Sequence, residues 1–582
     1  MAVENLIIEH IDIWTSAVKT KSTSGRGSSK KLELYGAKKL RELILELAVR
    51  GKLVPQNPND EPASVLLDRI AEEKKKLIEN KKLRKSKDLN EISEKDIPYR
   101  IPSTWKWCYL SDLGSIIGGG TPKSNEDVYW TDKGVKWLTP ADLYGLKSKY
   151  IGSGKRDITN LGLEKSSAQL LPKGSVLFSS RAPIGYVAIT SNELATNQGF
   201  KSVVPIFQEL SEYIYYFLKR SGKFIDAEAS GTTFKEVSGT VVSKVLTPLP
   251  PIAEQHRIVA KVDELMALCD QLEQQTEASI EAHQMLVTTL LDTLTNSADA
   301  DELMQNWARI SEHFDTLFTT EESIDQLKQT ILQLAVMGKL VPQDPSDEPA
   351  AELLKRIAEE KAQLVKEKKI KKQKVLPPIA EDEKPFELPN GWEWCYLQDL
   401  FSVVTDGDHQ APPKSDEGIP FLVIGNLNTG HIQFEGCNYV PAQYFDKLDW
   451  TRQPSKGDLL YTVTGSYGIP VLVSEDVPFC VQRHVAILNS TADTPVEYIQ
   501  YVLRSKYSFD FATSVATGIA QKTVPLTGLR KMPIPLPPLK ERAEILQMIA
   551  ALIRICEQLK VNIRDSQTNQ LHLTDAIVEQ AV

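Results

Sequence analysis

Polar side chains suited to nucleic-acid chemistry gather in short, glycine-punctuated stretches in two parts of the chain. Arg, Asn, Gln and His match the donor and acceptor patterns of base edges, whereas Ser, Thr and Lys suit phosphate oxygens. The candidates are Thr121, Lys123, Ser124, Asn125, Ser180, Arg181, Asn197 and Gln198 in the first part, and Asp408, His409, Gln410, Ser466, Tyr467, Gln482, Arg483 and His484 in the second. Such loops occur on many protein surfaces, so composition alone leaves a plain polar surface as the alternative.

Motifs for catalysis are weak by comparison. An Asn/Asp-Pro-Pro-Tyr/Phe loop and a Gly-rich cofactor turn, expected of an adenine methyltransferase, are both missing. The stretch Gly152–Lys155 resembles a P-loop, but Lys149 stands where the first glycine belongs. A nuclease pattern of the Asp…Glu-x-Lys type is too loose to exclude. No catalytic constellation therefore stands out in the sequence.

The six cysteines form no Cys-x-x-Cys pair, and no His pair stands at zinc-ligand spacing beside them. In 582 residues they are too few for a disulfide framework. We therefore expect reduced, mostly buried thiols and no structural metal.

Length and charge narrow the class of protein. A chain of 582 residues predicts roughly three to four domains. The net charge of −9 argues against coating nucleic acid or an anionic membrane by bulk charge, although a local basic face stays compatible with it. No apolar run reaches the ~18 to 20 residues of a membrane span, and the N-terminus lacks a signal-peptide pattern. We expect a cytoplasmic protein with no membrane partner.

An internal repeat organises the chain. Residues 40–113 align without a gap to residues 327–400, 287 positions later, with 42 of 74 positions identical. The same shift aligns TPLPPIAEQHRI (247–258) with IPLPPLKERAEI (534–545). The chain is therefore two tandem halves, about 1–300 and 301–582. The matched segments are called the frame below.

Two unmatched segments of equal length interrupt the frame, insert 1 (114–246) and insert 2 (401–533). A duplicated frame that carries two different inserts is what two different recognition surfaces would need. The predicted domains are an N-terminal helical frame (1–113), insert 1, a central helical frame (247–400), insert 2 and a C-terminal helix (534–582).

A long helix is predicted after each PLPP segment. Apolar residues after residue 258 and again after residue 545 follow steps of four and three, which is a heptad seam. Each helix of about 40 residues would be about 60 Å long. The two helices are predicted to pair with each other; two independent surface helices are the alternative.

The frame also predicts a helix at Lys38–Val49, a turn at Gly51 and a second helix from Ala63 to Lys87. This second helix ends in the basic run Lys81–Lys85, matched by Lys368–Lys372. A solvated helix face is favoured over a DNA-phosphate contact for this run. Residues 20–31, rich in Ser, Gly and Lys, are predicted to be a flexible linker.

Mixed helix and strand is predicted for both inserts. The predicted strands are Val176–Ser179, Val187–Thr190, Phe421–Ile424, Leu459–Val463 and Val471–Val473, and the predicted helices are Glu212–Lys219 and Glu497–Leu503. The tyrosines in these helices are interpreted as core residues rather than base-stacking platforms.

The acidity lies mainly in the frame. Insert 1 has 16 Lys and Arg against 12 Asp and Glu, and insert 2 has 10 against 13. The inserts together are thus close to neutral, so the overall acidity does not argue against a nucleic-acid role for them.

The combined layout closely resembles the specificity (S) subunit of type I restriction-modification systems, in its larger subclass. The resemblance rests on AVRGKLVP/AVMGKLVP, WKWCYLSDL/WEWCYLQDL, the PLPP-plus-heptad helices and the segments 230–251 and 517–538 that close each insert. It covers nearly the whole chain. It implies an α+β fold with two mixed α/β target recognition domains, joined by long antiparallel coiled-coil helices in a pseudo-twofold tandem repeat.

The resemblance also implies a noncatalytic protein that selects a DNA site. Each recognition domain would read one half of an asymmetric bipartite sequence in double-stranded DNA, while the paired helices set the spacing. Two modification (methyltransferase) subunits would bring S-adenosylmethionine and methylate adenine N6. Restriction subunits would bring ATP and Mg, and this chain itself would hold no cofactor. A coiled-coil scaffold whose inserts bind protein or other ligands is the alternative.

Overall fold

A computed structural model describes residues 3–21, 31–83, 89–181, 183–229, 235–410, 412–519 and 521–582. The chain divides into two compact units: unit 1 is Met1–Ser279 with Gln567–Val582, and unit 2 is Ile280–Ser566. The two divisions, after Ser279 and after Ser566, are 287 residues apart, which is the shift of the repeat. The units thus differ from simple halves, because each one contains the end of the long helix that starts in the other.

Unit 1 combines a helical frame with β-sheets. Its helices are α1 (Val3–Glu9), α2 (Ile11–Ser16), α3 (Tyr35–Val49), α4 (Ala63–Glu79), α5 (Leu110–Leu113), α6 (Asn160–Glu164), α7 (Ser211–Ala227), α8 (Gly239–Ser243) and the first part of α9 (Ile252–Thr295). Its strands are β1 (Val18–Lys21), β2 (Lys31–Leu34), β3 (Lys106–Tyr109), β4 (Gly114–Gly118), β5 (Trp130–Thr131), β6 (Val135–Leu138), β7 (Tyr150–Ile151), β8 (Arg156–Ile158), β9 (Val176–Phe178), β10 (Val187–Thr190), β11 (Ala195–Thr196), β12 (Lys201–Pro205) and β13 (Leu246–Leu249).

Unit 2 also combines a helical frame with β-sheets. Its helices are α10 (Ala300–Glu312), α11 (Phe314–Leu317), α12 (Glu321–Val336), α13 (Ala350–Lys366), α14 (Ala442–Asp446), α15 (Val496–Arg504), α16 (Lys506–Val515), α17 (Leu526–Arg530) and the first part of α18 (Leu539–Ala581). Its strands are β14 (Glu393–Tyr396), β15 (Val403–Asp406), β16 (Ile419–Leu422), β17 (Asn438–Val440), β18 (Leu459–Thr462), β19 (Pro470–Leu472), β20 (Cys480–Val481), β21 (Val485–Asn489) and β22 (Pro533–Leu536).

The sheets of the two inserts share one plan. In unit 1 the larger sheet has the order β4-β12-β9-β10-β7, and in unit 2 its counterpart has the order β15-β21-β18-β19. The smaller sheets are β11-β6-β8-β5 and β17-β16-β20. In each unit a short parallel pair, β11 with β6 or β20 with β16, brings the chain back beside an earlier strand. Mixed α/β domains on a helical frame are therefore present in both units.

Each insert is closed by a strand pair next to the frame. Strand β13 pairs antiparallel with β3, placing Cys108 opposite Thr247, and β22 pairs with β14, placing Cys395 opposite Ile534. The long helix follows at once, because the Pro-Pro dipeptide ends the strand and suits a helix start. Near this junction the indole of one frame tryptophan in each unit donates to a buried glutamate, Trp105 to Glu254 at 2.9 Å and Trp392 to Glu541 at 3.0 Å.

The heptad residues of the long helices are buried. Helices α3 and α12, which are equivalent in the repeat, take part in their packing. In unit 1, Ile258, Val262 and Leu265 of α9 share a hydrophobic cluster with α3 and with the end of α18. In unit 2, Leu552 and Cys556 of α18 share one with α12 and the end of α9. The first part of one long helix and the last part of the other thus lie in the same unit, as antiparallel pairing requires.

Several boundaries differ from the sequence-based expectations. Helix α4 ends at Glu79, not at Lys87, because Lys81 adopts a left-handed φ of 56° and Lys82 N–H bonds to Leu77 O at 2.9 Å. Of the basic run, only Lys81–Leu83 lies within the described residues, and it follows the helix. The predicted linker 20–31 is wrong at its ends, where β1 and β2 pair antiparallel, and its positions 22–30 lie outside the described residues.

Other expectations agree with the structure. Strand β10 has the predicted bounds, and the other four predicted strands are present with shifts of one or two residues at their ends. Helix α7 extends well beyond the predicted Lys219, whereas α15 exceeds its prediction by one residue at each end. Tyr213, Tyr215, Tyr216 and Tyr498 are buried core residues, as interpreted. The six cysteines are free thiols, and all but the partly exposed Cys437 are buried.

Candidate nucleic-acid interface

Three loops of insert 1 meet at one edge of its sheets, called edge 1 (Gly119–Asn125, Ser179–Arg181 and Thr196–Gly199). They leave strands β4, β9 and β11. Backbone hydrogen bonds connect them: Gly120 N–H donates to Thr196 O at 2.8 Å, and Ser180 N–H donates to Gly199 O at 2.7 Å. The three candidate stretches, far apart in sequence, are therefore brought together.

Edge 2 in insert 2 is built from the equivalent loops (Gly407–Gln410, Val463–Tyr467 and Gln482–His484), which follow β15, β18 and β20. Asp408 forms a parallel bridge with Gln482, and Val463 N–H donates to His484 O at 3.0 Å. The two edges thus have the same backbone construction.

A glycine is required where the first and third loops of each edge cross. A Cβ on Gly119 would lie 2.0 Å from Asn197 O, and a Cβ on Gly407 would lie 2.0 Å from Val481 O. Side chains cannot approach a carbonyl oxygen so closely. The glycines that punctuate these loops therefore allow the backbones to touch.

The candidates of edge 1 differ in exposure. Thr121, Lys123, Ser124, Asn125 and Gln198 are exposed, and the Thr121 hydroxyl donates to Gln198 Oε1. Asn197 is partly exposed, and its Oδ1 accepts from Gly199 N–H at 2.9 Å. Ser180 is fully buried, and its hydroxyl has no hydrogen-bond partner in the structure, so it is not available at the surface.

Arg181 is an exposed cation of edge 1, and it forms an ion pair with Glu236. Arg181 Nη2 lies 2.8 Å from Glu236 Oε2, while Lys201 Nζ lies 3.2 Å from the other carboxylate oxygen. Burial raises the pKa of Glu236, but the hydrogen bonds from Arg181 and Lys201 outweigh it and the pKa lies below its usual value. Arg181 and Asn197 also line a cavity of about 440 Å³ together with Tyr144 and Tyr186.

Carboxylates and one arginine dominate edge 2. Arg452 Nη1 lies 3.2 Å from Asp408 Oδ1, and the Tyr444 hydroxyl donates to Asp408 Oδ2 at 3.1 Å. Burial, with the hydrogen bond to Asp408, raises the pKa of Tyr444 to about 12. His409 is exposed and its Nε2 lies 3.0 Å from Asp406, while Gln410 is exposed beside it. Asp408 is therefore held in place, and His409 and Gln410 face solvent.

The remaining candidates of edge 2 form its other side. Ser466 and Arg483 are exposed, and Gln482 is partly exposed. The ring of Tyr467 stacks on Phe509 at 5.6 Å, and its hydroxyl lies 3.0 Å from Thr513 Oγ1. Burial and the charge of Arg483 lower the pKa of His484. A neutral imidazole can both donate and accept at a base edge.

Comparison with known proteins gives the family. The model of the type I restriction modification DNA specificity domain matches residues 102–282 and 389–566, once in each half. The chain is 40% identical to the specificity subunit of the type I restriction enzyme EcoAI of Escherichia coli and 41% identical to that of EcoEI of the same species, each over the full length of both chains. The chain belongs to the type I restriction-modification specificity subunits.

Among solved structures, a chain from a structural study of the assembly and conformational transition of a type I R-M system covers 83% of this specificity subunit and 99% of its own length. That chain is 19% identical, with a TM-score of 0.47. The specificity subunit of Thermoanaerobacter tengcongensis is 18% identical over 83% of this chain and 98% of its own, with a TM-score of 0.37.

Four polar residues at the edges of the specificity subunit were not predicted from the sequence: Tyr144, Glu236, Tyr444 and Arg452. Glu236 contacts a residue 55 positions away, and Arg452 one 44 positions away. The contacts of Glu236 and Arg452 join segments far apart in the chain, so the fold is needed to bring them to the edges.

Two negative findings concern the part of the specificity subunit that the structure describes. No group of three or more His, Cys, Asp or Glu side chains there has a geometry that would hold a metal ion. Within the same residues, none of the helices is long and apolar enough to span a membrane.

Proposed function

We propose that this chain is the DNA sequence-recognition subunit of a type I restriction-modification complex. Insert 1 reads one half of an asymmetric bipartite site through edge 1, and insert 2 reads the other half through edge 2. The long helices set the distance between the half-sites. The observation that carries the proposal is the convergence of three polar loops at one edge in each insert, with the third loop joined to the first and to the second by backbone contacts at both edges.

The side chains at the two edges support base reading by different chemistry. Arg181 and Gln198 in edge 1 offer donors suited to guanine and adenine edges in the major groove. In edge 2, His409, Gln410 and Arg483 are available in the same way, whereas Asp408 is already engaged by Arg452 and Tyr444. A wrong base pair in either half is expected to cost roughly 1–3 kcal/mol.

The proposal assigns catalysis to partners. Two modification subunits would dock on the repeated frame, bring S-adenosylmethionine and methylate adenine N6. Restriction subunits would join through them with ATP and Mg. The chain itself would be noncatalytic, free of cofactor and cytoplasmic. The duplicated frame, identical at 42 of 74 aligned positions, supports two copies of one docking partner.

The test is the methylation pattern that the chain directs. Co-expressed with its modification subunit in a methylation-free host, the chain is expected to place N6-methyladenine at a single bipartite sequence. Arg483→Gln should relax recognition in one half of that sequence only. A methylation pattern without a bipartite sequence would contradict the proposal.

A coiled-coil scaffold whose inserts bind protein is the second candidate, and the polar exposed loops are equally available to it. Footprinting of the complex on DNA separates the two. Protection of two short segments at a fixed distance supports the reader. A complex without protection at any DNA site would favour the scaffold.

A further inference from the structure

The frame presents the same helix to both inserts, but the residues at the contact differ. Four positions facing the inserts have changed between the copies of the repeat. They are seat 1 (Glu42, Glu46, Arg50 and Tyr99) in unit 1 and, 287 residues later, seat 2 (Gln329, Gln333, Met337 and Phe386) in unit 2. The neighbouring positions that face the long helices keep their chemistry: Arg41 pairs with Asp270, and Lys328 pairs with Glu557.

Ion pairs fill seat 1. Arg220, from helix α7 of insert 1, places Nε 2.7 Å and Nη2 2.9 Å from the two carboxylate oxygens of Glu46. Arg50 Nε lies 2.7 Å from the same carboxylate, and Lys223 pairs with Glu42. The side chains of Arg220 and Glu46 are only 16% and 17% exposed, so this bidentate pair is well shielded from water.

Tyr99 completes seat 1 as an aromatic platform. The guanidinium carbons of Arg50 and Arg220 lie 4.6 and 6.0 Å from its ring centroid. Burial raises the pKa of Tyr99 to about 12. Seat 1 therefore binds insert 1 through charge and cation–π contacts.

Seat 2 contains no equivalent charges. Its four residues line a groove of about 610 Å³ with Tyr507 and Phe511 of helix α16 on the other side. The Phe386 ring meets Tyr507 edge-on, with centroids 5.9 Å apart. The insert helices themselves align with a shift of 285 residues, since Tyr213 donates to Pro248 O and Tyr498 donates to Pro535 O, so Ser505 and not Tyr507 is the counterpart of Arg220. An aromatic contact thus replaces the arginine pair.

Exchange of the inserts would mismatch both seats. Insert 2 on seat 1 would bring no arginine to the place of Arg220, because its counterpart is Ser505, and would leave the shielded Glu46 with one arginine. It would also place Ser508, the counterpart of Lys223, opposite Glu42, so that Glu42 would lose its ion pair as well. Insert 1 on seat 2 would place Arg220 and Lys223 opposite Gln333 and Gln329, without a carboxylate to pair with.

We propose that each seat is complementary to its own insert and not to the other one, which is called keyed below. The frame then determines which recognition domain occupies which position and how it is held against the DNA. Glu46 and Arg220 are positioning residues for insert 1, and Phe386 and Tyr507 are positioning residues for insert 2. This inference rests on the proposed function, since it concerns how the readers of the two half-sites are held.

The test compares four full-length chains, each assembled with the modification subunit. They are the native chain, a chain with the inserts exchanged, a chain with only the seats exchanged, and a chain with both exchanged. Exchanging the seats means E42Q, E46Q, R50M and Y99F together with Q329E, Q333E, M337R and F386Y. Specific adenine methylation and the thermal unfolding midpoint are measured for all four.

Keyed seats predict that exchanging inserts alone or seats alone lowers specific methylation at least tenfold and lowers the unfolding midpoint. Exchanging both should restore at least half of the native methylation. Native methylation by the insert-exchanged chain would overturn the inference, and so would failure of the doubly exchanged chain. If the native chain directed no site-specific methylation, the proposed function would fail, while the order of the four unfolding midpoints would still decide the keying.

A second set of variants leaves the insert order native. Arg220→Gln is expected to reduce discrimination at the half-site of insert 1 about threefold and to leave the other half-site unchanged. Glu46→Gln should do the same, and the double variant should be no worse than either single one. Lys355→Gln, which breaks an exposed pair with Glu352, is the matched control. Loss of stability with unchanged discrimination would show a merely structural contact and overturn the inference.

Discussion

Edges 1 and 2 share their backbone construction but not their charges. In edge 1 an exposed cation is Arg181, which follows strand β9, and its partner Glu236 comes from the end of the insert. In edge 2 the central groups are the carboxylates of Asp406 and Asp408, and the cation Arg452 comes from a turn before β18. The comparison teaches that the sheets determine where the candidate side chains stand, while separate segments supply their electrostatic partners.

The strongest test of whether the two edges act independently of each other is to replace a whole insert. Residues 401–533 exchanged for the equivalent segment of a relative with another target should change one half-site completely. Several mismatched base pairs at roughly 1–3 kcal/mol each predict a loss of more than 100-fold at the original sequence. Sequencing of methylated adenines measures it. A change in both half-sites would show that the edges are not independent.

The cores of the two frames should respond alike, in contrast to the edges. Ile44 and Ile331 are equivalent residues of α3 and α12, 0% and 3% exposed. Truncation of either to Ala should cost about 2–5 kcal/mol of unfolding free energy through lost burial and the cavity left behind. Urea unfolding followed by tryptophan fluorescence measures both. Costs differing by more than about 2 kcal/mol would contradict the equivalence of the two frames.

Substitution of a single arginine should affect recognition by one edge and not by the other. Arg452→Gln would leave Asp406 and Asp408 without their guanidinium, facing the DNA with uncompensated negative charge. We expect about 10-fold weaker recognition of the half-site of insert 2, equivalent to about 1.4 kcal/mol. Arg181→Gln should weaken only the other half-site by a similar factor. Filter binding of the assembled complex to DNA mutated in one half measures each effect. An effect of Arg452→Gln on both halves would contradict the separation.

Local signals predicted much of the fold and part of the sites. Strand Val187–Thr190 has its predicted bounds because a short apolar run between polar turns is a strand signal in itself. Helix α4 was extended too far because Lys81 turns left-handed, a conformation that sequence rules reserve for Gly or Asn. The polar loops were recognised from their residue types. Their meeting depends on the parallel pairs β6–β11 and β16–β20, which join segments about 60 residues apart.

The smallest expected difference between the units lies in their response to acid. Burial raises the pKa of Glu46, but the hydrogen bonds from Arg220 and Arg50 outweigh it, so the pKa lies below the ordinary 4.5. A depressed carboxyl pKa stabilises the folded chain above the ordinary value, and this contribution is lost as the pH falls through the folded pKa. The equivalent Gln333 does not titrate.

Glu46→Gln should therefore destabilise the chain at pH 7, by on the order of 1 kcal/mol because water screens part of the ion pair. The difference from the native chain should shrink as the pH falls below about 4.5, the ordinary pKa of a glutamate. Gln333→Leu, in the other unit, is the matched control and should show a pH-independent difference. Urea unfolding at pH 7 and pH 4 measures both. An undiminished cost of Glu46→Gln at pH 4 would mean that its charge contributes nothing to seat 1, and the contrast between the seats would then rest on packing alone.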